Sequence, residues 1–239
     1  MKFLKLEKRN KIAYVSFIRT KSLNALNSQT LKELIYLNKE LEKDSNTKVI
    51  VYRSEGKDFS AGADIKERQN KLSKLEVWKS NLGKEAIESI LKINQITIAS
   101  LRGYCLGGAA CIASACDFRV ASETTSVAYP EIDLGMNLNW FGLPLLLRLI
   151  GPSKTKRMVI SGDMENADVL YKWGFIDELF KDEDLEKMTT DFAKKYASKP
   201  ALPAQMIKKS VNALTYQSDQ SVMHMDYDQF LLSREFYKD

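Results

Sequence analysis

Apolar and polar positions alternate from Ile12 to Ile18, with β-branched residues among them, which predicts a strand. The period then lengthens. Leu31, Leu34, Ile35, Leu37 and Leu41 recur at helical spacing, so a helix is expected over 29–42, with Ser28 as its N-cap. A short apolar run at 49–53 reads as a second strand, followed by a polar, glycine-bearing loop through residue 64. A long charged amphipathic stretch runs over 66–94, and a further strand is expected at 96–101. After a glycine-rich turn come a small-residue helix at 109–115 and short strands at 118–121 and 127–129. A helical segment at 143–149 is closed by Gly151-Pro152, and more helix is expected at 153–161, 166–173 and 184–198, with a strand at 175–180. The tail from Pro203 again varies at helical spacing. Strands alternating with helices imply an α/β domain, and the helical last third implies a packing or assembly element. No linker or long-period repeat interrupts the pattern.

Composition narrows the chemistry. The 239 residues are 44% hydrophobic and 28% charged, enough for a core held by burial alone. The net charge of +5 is spread among acids and forms no basic arm, so nucleic-acid binding is not expected, although mild basicity suits a phosphate-bearing small molecule. The single histidine, His224, lies in a Met- and Asp-rich helical stretch and is expected to be structural or on the surface. A Ser-His-Asp triad would have to use it, and no His-based metal site can form within one chain. Cys105, Cys111 and Cys116 match neither C-x-x-C nor a zinc spacing, and read as buried free thiols of a reducing compartment. The N-terminus has no apolar signal region and no apolar run is long enough to cross a membrane, so a soluble cytoplasmic protein is expected.

Two small-residue loops, each joining an expected strand to an expected helix, carry the candidate chemistry. They are Ser60-Ala61-Gly62-Ala63-Asp64-Ile65 and Gly103-Tyr104-Cys105-Leu106-Gly107-Gly108-Ala109-Ala110. Small residues at a helix start leave backbone N–H groups open to an anion or a developing oxyanion, or serve only to let helix and strand pack closely. Neither loop matches G-x-G-x-x-G or the P-loop pattern.

Taken with Asn24-Ala25-Leu26, Cys116-Asp117, Pro130-Glu131-Ile132-Asp133-Leu134-Gly135 and Arg148-Leu149-Ile150-Gly151, in this order, the two loops make the chain resemble the crotonase superfamily, the enoyl-CoA hydratases and isomerases, from about residue 3 to 235. The resemblance implies an α/β crotonase-like spiral of ββα units over 1–190 that binds acyl-CoA, and a C-terminal helical trimerisation region over 191–239. It implies a thioester carbonyl held between the backbone amides of Ala63 and Gly108, with Glu131 as acid/base, and an enoyl-CoA hydratase or isomerase activity. The coenzyme A groove would run along Lys21, Ser22, Leu23, Ala25, Ala61, Asp64, Ile65, Lys66 and Gly107. Lys21 and Lys66 would meet phosphates or else be solvated surface charges. Coenzyme A enters as part of the substrate, no other cofactor or metal is expected, and the resemblance implies a homotrimer or a dimer of trimers, with no membrane or nucleic-acid partner.

The chain also departs from the pattern. The hydratases use two glutamates to hold a water. Glu131 matches the second, but Cys111 stands at the first, and a buried thiol is a poor acid/base. A single carboxylate suits the isomerases of the family. Asn139 stands where some members carry a catalytic Asp, and Trp140 and Phe141 replace small residues, either flooring the acyl pocket or packing in the core. The usual last helix falls beyond Asp239, which bears on the trimer contacts and the coenzyme A lid. Decarboxylation or C–C cleavage of an acyl-CoA, and coenzyme A binding without catalysis, are the alternatives.

Overall fold

The structure is a computed structural model that describes residues 1–67, 73–217, 219 and 224–236. Its main sheet contains β1 (Leu4–Arg9), β2 (Ile12–Phe17), β3 (Val49–Ser54), β4 (Ile96–Leu101), β6 (Phe118–Ser122) and β9 (Glu178–Phe180), side by side in that order. Only the β1–β2 pair is antiparallel. A smaller sheet joins β5 (Tyr104–Leu106), β7 (Ser126–Ala128) and β8 (Glu165–Asn166). The helices are α1 (Ser28–Glu42), α2 (Lys74–Lys79), α3 (Leu82–Leu91), α4 (Gly108–Ala115), α5 (Gly142–Ser161), α6 (Ala167–Trp173), α7 (Leu185–Ala197), α8 (Ala201–Thr215) and α9 (Asp226–Phe236).

The strands in the middle of the main sheet are covered on both faces, which is why β2 is buried at every position. One face packs with α1, α3, α4 and α5 into the larger core, around Leu34, Ile50, Ile87 and Ile112. The other is covered by α7, whose Leu185, Ala193 and Ala197 lie against Ile12, Val49, Ile98 and Val120. Residue 190 therefore lies inside a helix that packs on the sheet. α8 is tied to the sheet by Lys208, whose buried ammonium meets Asp117 Oδ2 at 2.7 Å and the Gln95 carbonyl at 2.8 Å.

Several expected boundaries shift for local reasons. The N-cap of α1 is Asn27, whose side chain accepts from Thr30 N at 2.9 Å, and Ser28 is the first helical residue. The stretch expected to be one long element over 66–94 contains two helices, because Asn81 interrupts it and caps α3; residues 68–72 fall outside the described part. Segments 143–149 and 153–161 join into α5, broken only at Gly151, whose φ of 78° before Pro152 is not helical. β1 is an exposed, charged edge strand, as suits a sheet margin. All three cysteines are buried free thiols, and among the described residues no helix is long and apolar enough to cross a membrane.

Candidate active site

The two glycine-bearing loops lie side by side. Phe59 N donates to the Arg102 carbonyl at 2.8 Å, Ser60 N to Tyr104 O at 2.9 Å, and Leu106 N to Ser60 O at 3.1 Å, which makes a short parallel ladder. Gly62, at φ +85°, ends it; an added Cβ would lie 2.5 Å from Leu106 O and 3.6 Å from Gly108 N. The segment after the 3₁₀ turn of residues 20–22 holds the first loop from the other side. Leu26 N donates to Gly62 O, Asp64 N to Leu26 O and Ala61 N to Leu23 O, at 2.8, 3.1 and 2.9 Å. Gly62 N is satisfied by Ser60 Oγ and Gly107 N by Ala128 O. The amide of Ala63, and that of Gly108 at the start of α4, donate to neither loop. Both residues line a cleft of about 800 Å³.

Glu131 lines the same cleft. Pro130 opens the 3₁₀ turn that presents it, and Gly135, at φ 64°, stops that turn. Its carboxyl lies against Gly107, where an added Cβ would come within 2.8 Å of Oε1. Oε2 is buried with no hydrogen-bond partner. Burial pushes the carboxyl up to about 7, against a partial lowering by its own backbone amide. A carboxyl so placed can exchange a proton near neutral pH.

The groove leading away from Glu131 is lined by Lys21, Ser22, Leu23, Ala25, Ala61, Asp64, Ile65, Lys66 and Gly107, all expected from the sequence. Leu23 and Ile65 are exposed apolar side chains at its mouth. Among the described residues neither Lys21 nor Lys66 forms an ion pair. Asp64 instead pairs with Arg19, 3.0 Å away, and so acts as a strut of the groove. Arg19 also donates to the Ala25 carbonyl, so that one guanidinium closes the 19–25 turn and joins it to the first loop through Asp64. Sequence reasoning passed over Arg19, and its neighbours carry no signal for it: its partner lies 45 residues away. Pro130, Leu134 and Met136 complete the wall near Glu131.

Asn139 and Trp140 do not line the cleft. The Asn139 carbonyl accepts from Asn81 Nδ2 at 3.3 Å, and the Trp140 indole packs against Gly83 and Gly108. Cys111 is buried in α4, with its sulfur 3.0 Å from where a Cβ on Gly142 would stand. Burial, and then the charge of Glu131, hold its thiol well above the usual range. It therefore has no ionised form to offer at neutral pH. Cys111→Ala is expected to keep turnover within about threefold of the parent in a steady-state assay, since only a protonated apolar group is lost.

The sequence model of the family "Enoyl-CoA hydratase/isomerase" matches residues 7–238. The chain belongs to the enoyl-CoA hydratase/isomerase family. Curated members of the family that resemble it include the short-chain-enoyl-CoA hydratase of Clostridium acetobutylicum, 32% identical over 87% of this chain and 80% of that protein. The crotonyl-CoA hydratase of Syntrophomonas wolfei is 31% identical over 94% of this chain and 87% of its own. The crystal structure of the enoyl-CoA hydratase from Bacillus anthracis superposes with a TM-score of 0.84 at 25% identity, covering 99% of this chain and 92% of that one. An enoyl-CoA hydratase/isomerase from Pseudoalteromonas atlantica gives 0.89 at 17% identity, over 97% and 91%, and so shares the fold.

Proposed function

We propose that this member of the enoyl-CoA hydratase/isomerase family binds the thioester carbonyl of an enoyl-CoA between the Ala63 and Gly108 amides and moves a proton with Glu131. The observation that carries this reading is the meeting, in one cleft, of two spare backbone donors with a carboxyl whose second oxygen is buried and unpartnered. Removing the proton from the α-carbon puts negative charge on the thioester oxygen. Donors fixed in advance there stabilise the enolate by about 3–4 kcal/mol each. The exposed apolar Leu23 and Ile65, flanked by Lys21 and Lys66, suit the nucleotide end and phosphates of coenzyme A, which enters as part of the substrate. Proton transfer of this kind asks for no redox group.

With one carboxylate available, the balanced reaction is double-bond migration. Glu131 takes the C2 proton of a 3-enoyl-CoA, the electron pair is held as a dienolate, and the same carboxyl returns the proton to C4. Hydration of a 2-enoyl-CoA is the second reading, favoured by the names of the curated relatives. The two separate in one assay. Purified protein is given 3-enoyl-CoA or 2-enoyl-CoA while absorbance of the conjugated thioester is followed. Gain of conjugation from the 3-enoyl substrate is expected; its loss from the 2-enoyl substrate, with no migration, would overturn the one-carboxylate route.

Leu202, Met206, Ile207, Val211 and Leu214 form an exposed apolar row along α8. We infer that further copies of the chain cover it, as the trimers of the family would, because a row this long is unusual on a free surface. Met206→Glu together with Val211→Glu is expected to shift light scattering from an oligomer to a monomer; a monomeric parent protein would refute the inference.

A further inference from the structure

We propose that Arg19 serves the reaction as a positioning residue: through two peptide units its guanidinium aims and polarises the Ala63 N–H that meets the thioester oxygen. This rests on the acyl-CoA reading above. The path is a chain of hydrogen bonds. Arg19 Nη1 donates to the Ala25 carbonyl. The same peptide unit carries Leu26 N, which donates to the Gly62 carbonyl at 2.8 Å. Gly62 O belongs in turn to the peptide unit of Ala63 N. In a trans peptide the N–H points away from the C=O. Fixing the Gly62 carbonyl on Leu26 therefore aims the Ala63 N–H the opposite way, and Ala63 lines the cleft. The links also strengthen one another, because a cation donating to the first carbonyl makes each N–H further along a better donor. Charge that develops on the thioester oxygen gains most from such a donor, so the effect falls on kcat more than on binding.

The guanidinium is fixed on its other sides. Nη2 meets Asp64 Oδ2 at 3.0 Å, and Cζ lies 4.8 Å from the centre of the Phe3 ring. Phe3 is held in turn: its N–H donates to Glu33 Oε2 at 2.9 Å, and its carbonyl accepts from Ile18 N at 3.1 Å. The turn over 19–25 needs this clamp. Leu23 and Asn24 stand in succession at φ 49° and 54°, a left-handed region that side chains disfavour. Arg19 closes the turn twice. Its carbonyl accepts from Ser22 N and Asn24 N, at 2.9 and 3.0 Å, and its side chain reaches Ala25. A lysine has one ammonium in place of the fork, so it cannot serve Ala25 and Asp64 in the same geometry.

The test compares the parent with Arg19→Lys, Arg19→Met and the double variant Arg19→Met/Asp64→Asn. On whichever enoyl-CoA the parent turns over, Arg19→Met should lower kcat about 10–100-fold, part of what a lost donor costs, with Arg19→Lys between them. Affinity for coenzyme A, read by calorimetry, should change by less than kcat does. The double variant should stay slow; a return to the parent kcat would reduce Arg19 to a counter-ion for Asp64 and overturn the proposal. Infrared spectra of carbonyl-labelled butyryl-CoA, which is not turned over, report on the amide itself. On the parent the thioester stretch should fall below its value in water, and on Arg19→Met it should fall less. An equal fall on both, or a folded Arg19→Met with the parent kcat, would overturn the role of Arg19 and leave the acyl-CoA reading standing. If Arg19→Met does not fold, the lysine variant decides by the same two readouts. A parent protein that leaves the stretch unchanged, or turns over neither enoyl-CoA, would overturn both.

Discussion

Glu131→Gln is expected to lower turnover by about 10²–10⁴-fold while making the protein more resistant to heat at pH 8. The two effects share one cause. The carboxyl is buried with an unpartnered oxygen, and its folded value of about 7 lies above the ordinary 4.5. Between those values the folded state holds more protons than the unfolded chain. Stability is therefore complete below about 4.5, falls as pH rises to about 7, and stays reduced above it. The penalty above pH 7 is about 3 kcal/mol. An amide carries no charge and escapes it. Melting curves of parent and variant should coincide near pH 4 and separate, in favour of the variant, through neutrality. In the parent, kcat/KM should climb with pH and level off above about 7, because the carboxylate is the base. A variant that keeps its turnover, or a parent with a flat profile from pH 5 to 9, would remove Glu131 from the mechanism.

Gly62→Ala should be nearly as damaging to catalysis, although it alters no reacting group. At φ +85° an alanine is strained, and its methyl carbon would stand 2.5 Å from the Leu106 carbonyl oxygen, a backbone atom with no room to yield. Relief requires the two loops to part, which separates Ala63 N from Gly108 N. Loss of one such donor costs about 2.7–4 kcal/mol, or 10²–10³-fold in kcat. The expected signature is a large fall in kcat with coenzyme A itself still bound. A kcat within threefold of the parent would mean that the amides do not act as a pair.

Much of this site is legible in the chain because its parts are local. Small residues at 61–63 and 107–110 announce close backbone approach, and Pro130 before Glu131 announces a presented carboxylate. The short apolar run of β3 and the β-branched residues of β2 make these strands legible, although the alternation expected over 12–18 is not what the structure shows: β2 is covered on both faces and buried at every position. β1 escaped because five of its six residues are solvent-facing and charge-rich, so it shows no run to read. β5 was absorbed into the glycine-rich turn, since three residues are too few to set a period. The helix pair over 74–91 was read as one stretch because charged residues mask the cap at Asn81.

By itself, then, the order of residues marked the family, the two small-residue turns and the proline-presented Glu131, each written in neighbours a few positions apart. Only tertiary structure decided that Glu131 sits high on the pH scale, that Arg19 braces Asp64, and that an indole lies between two glycines 25 positions apart. These depend on desolvation and excluded volume, which sum over every group that folding brings near, and no local pattern records that sum.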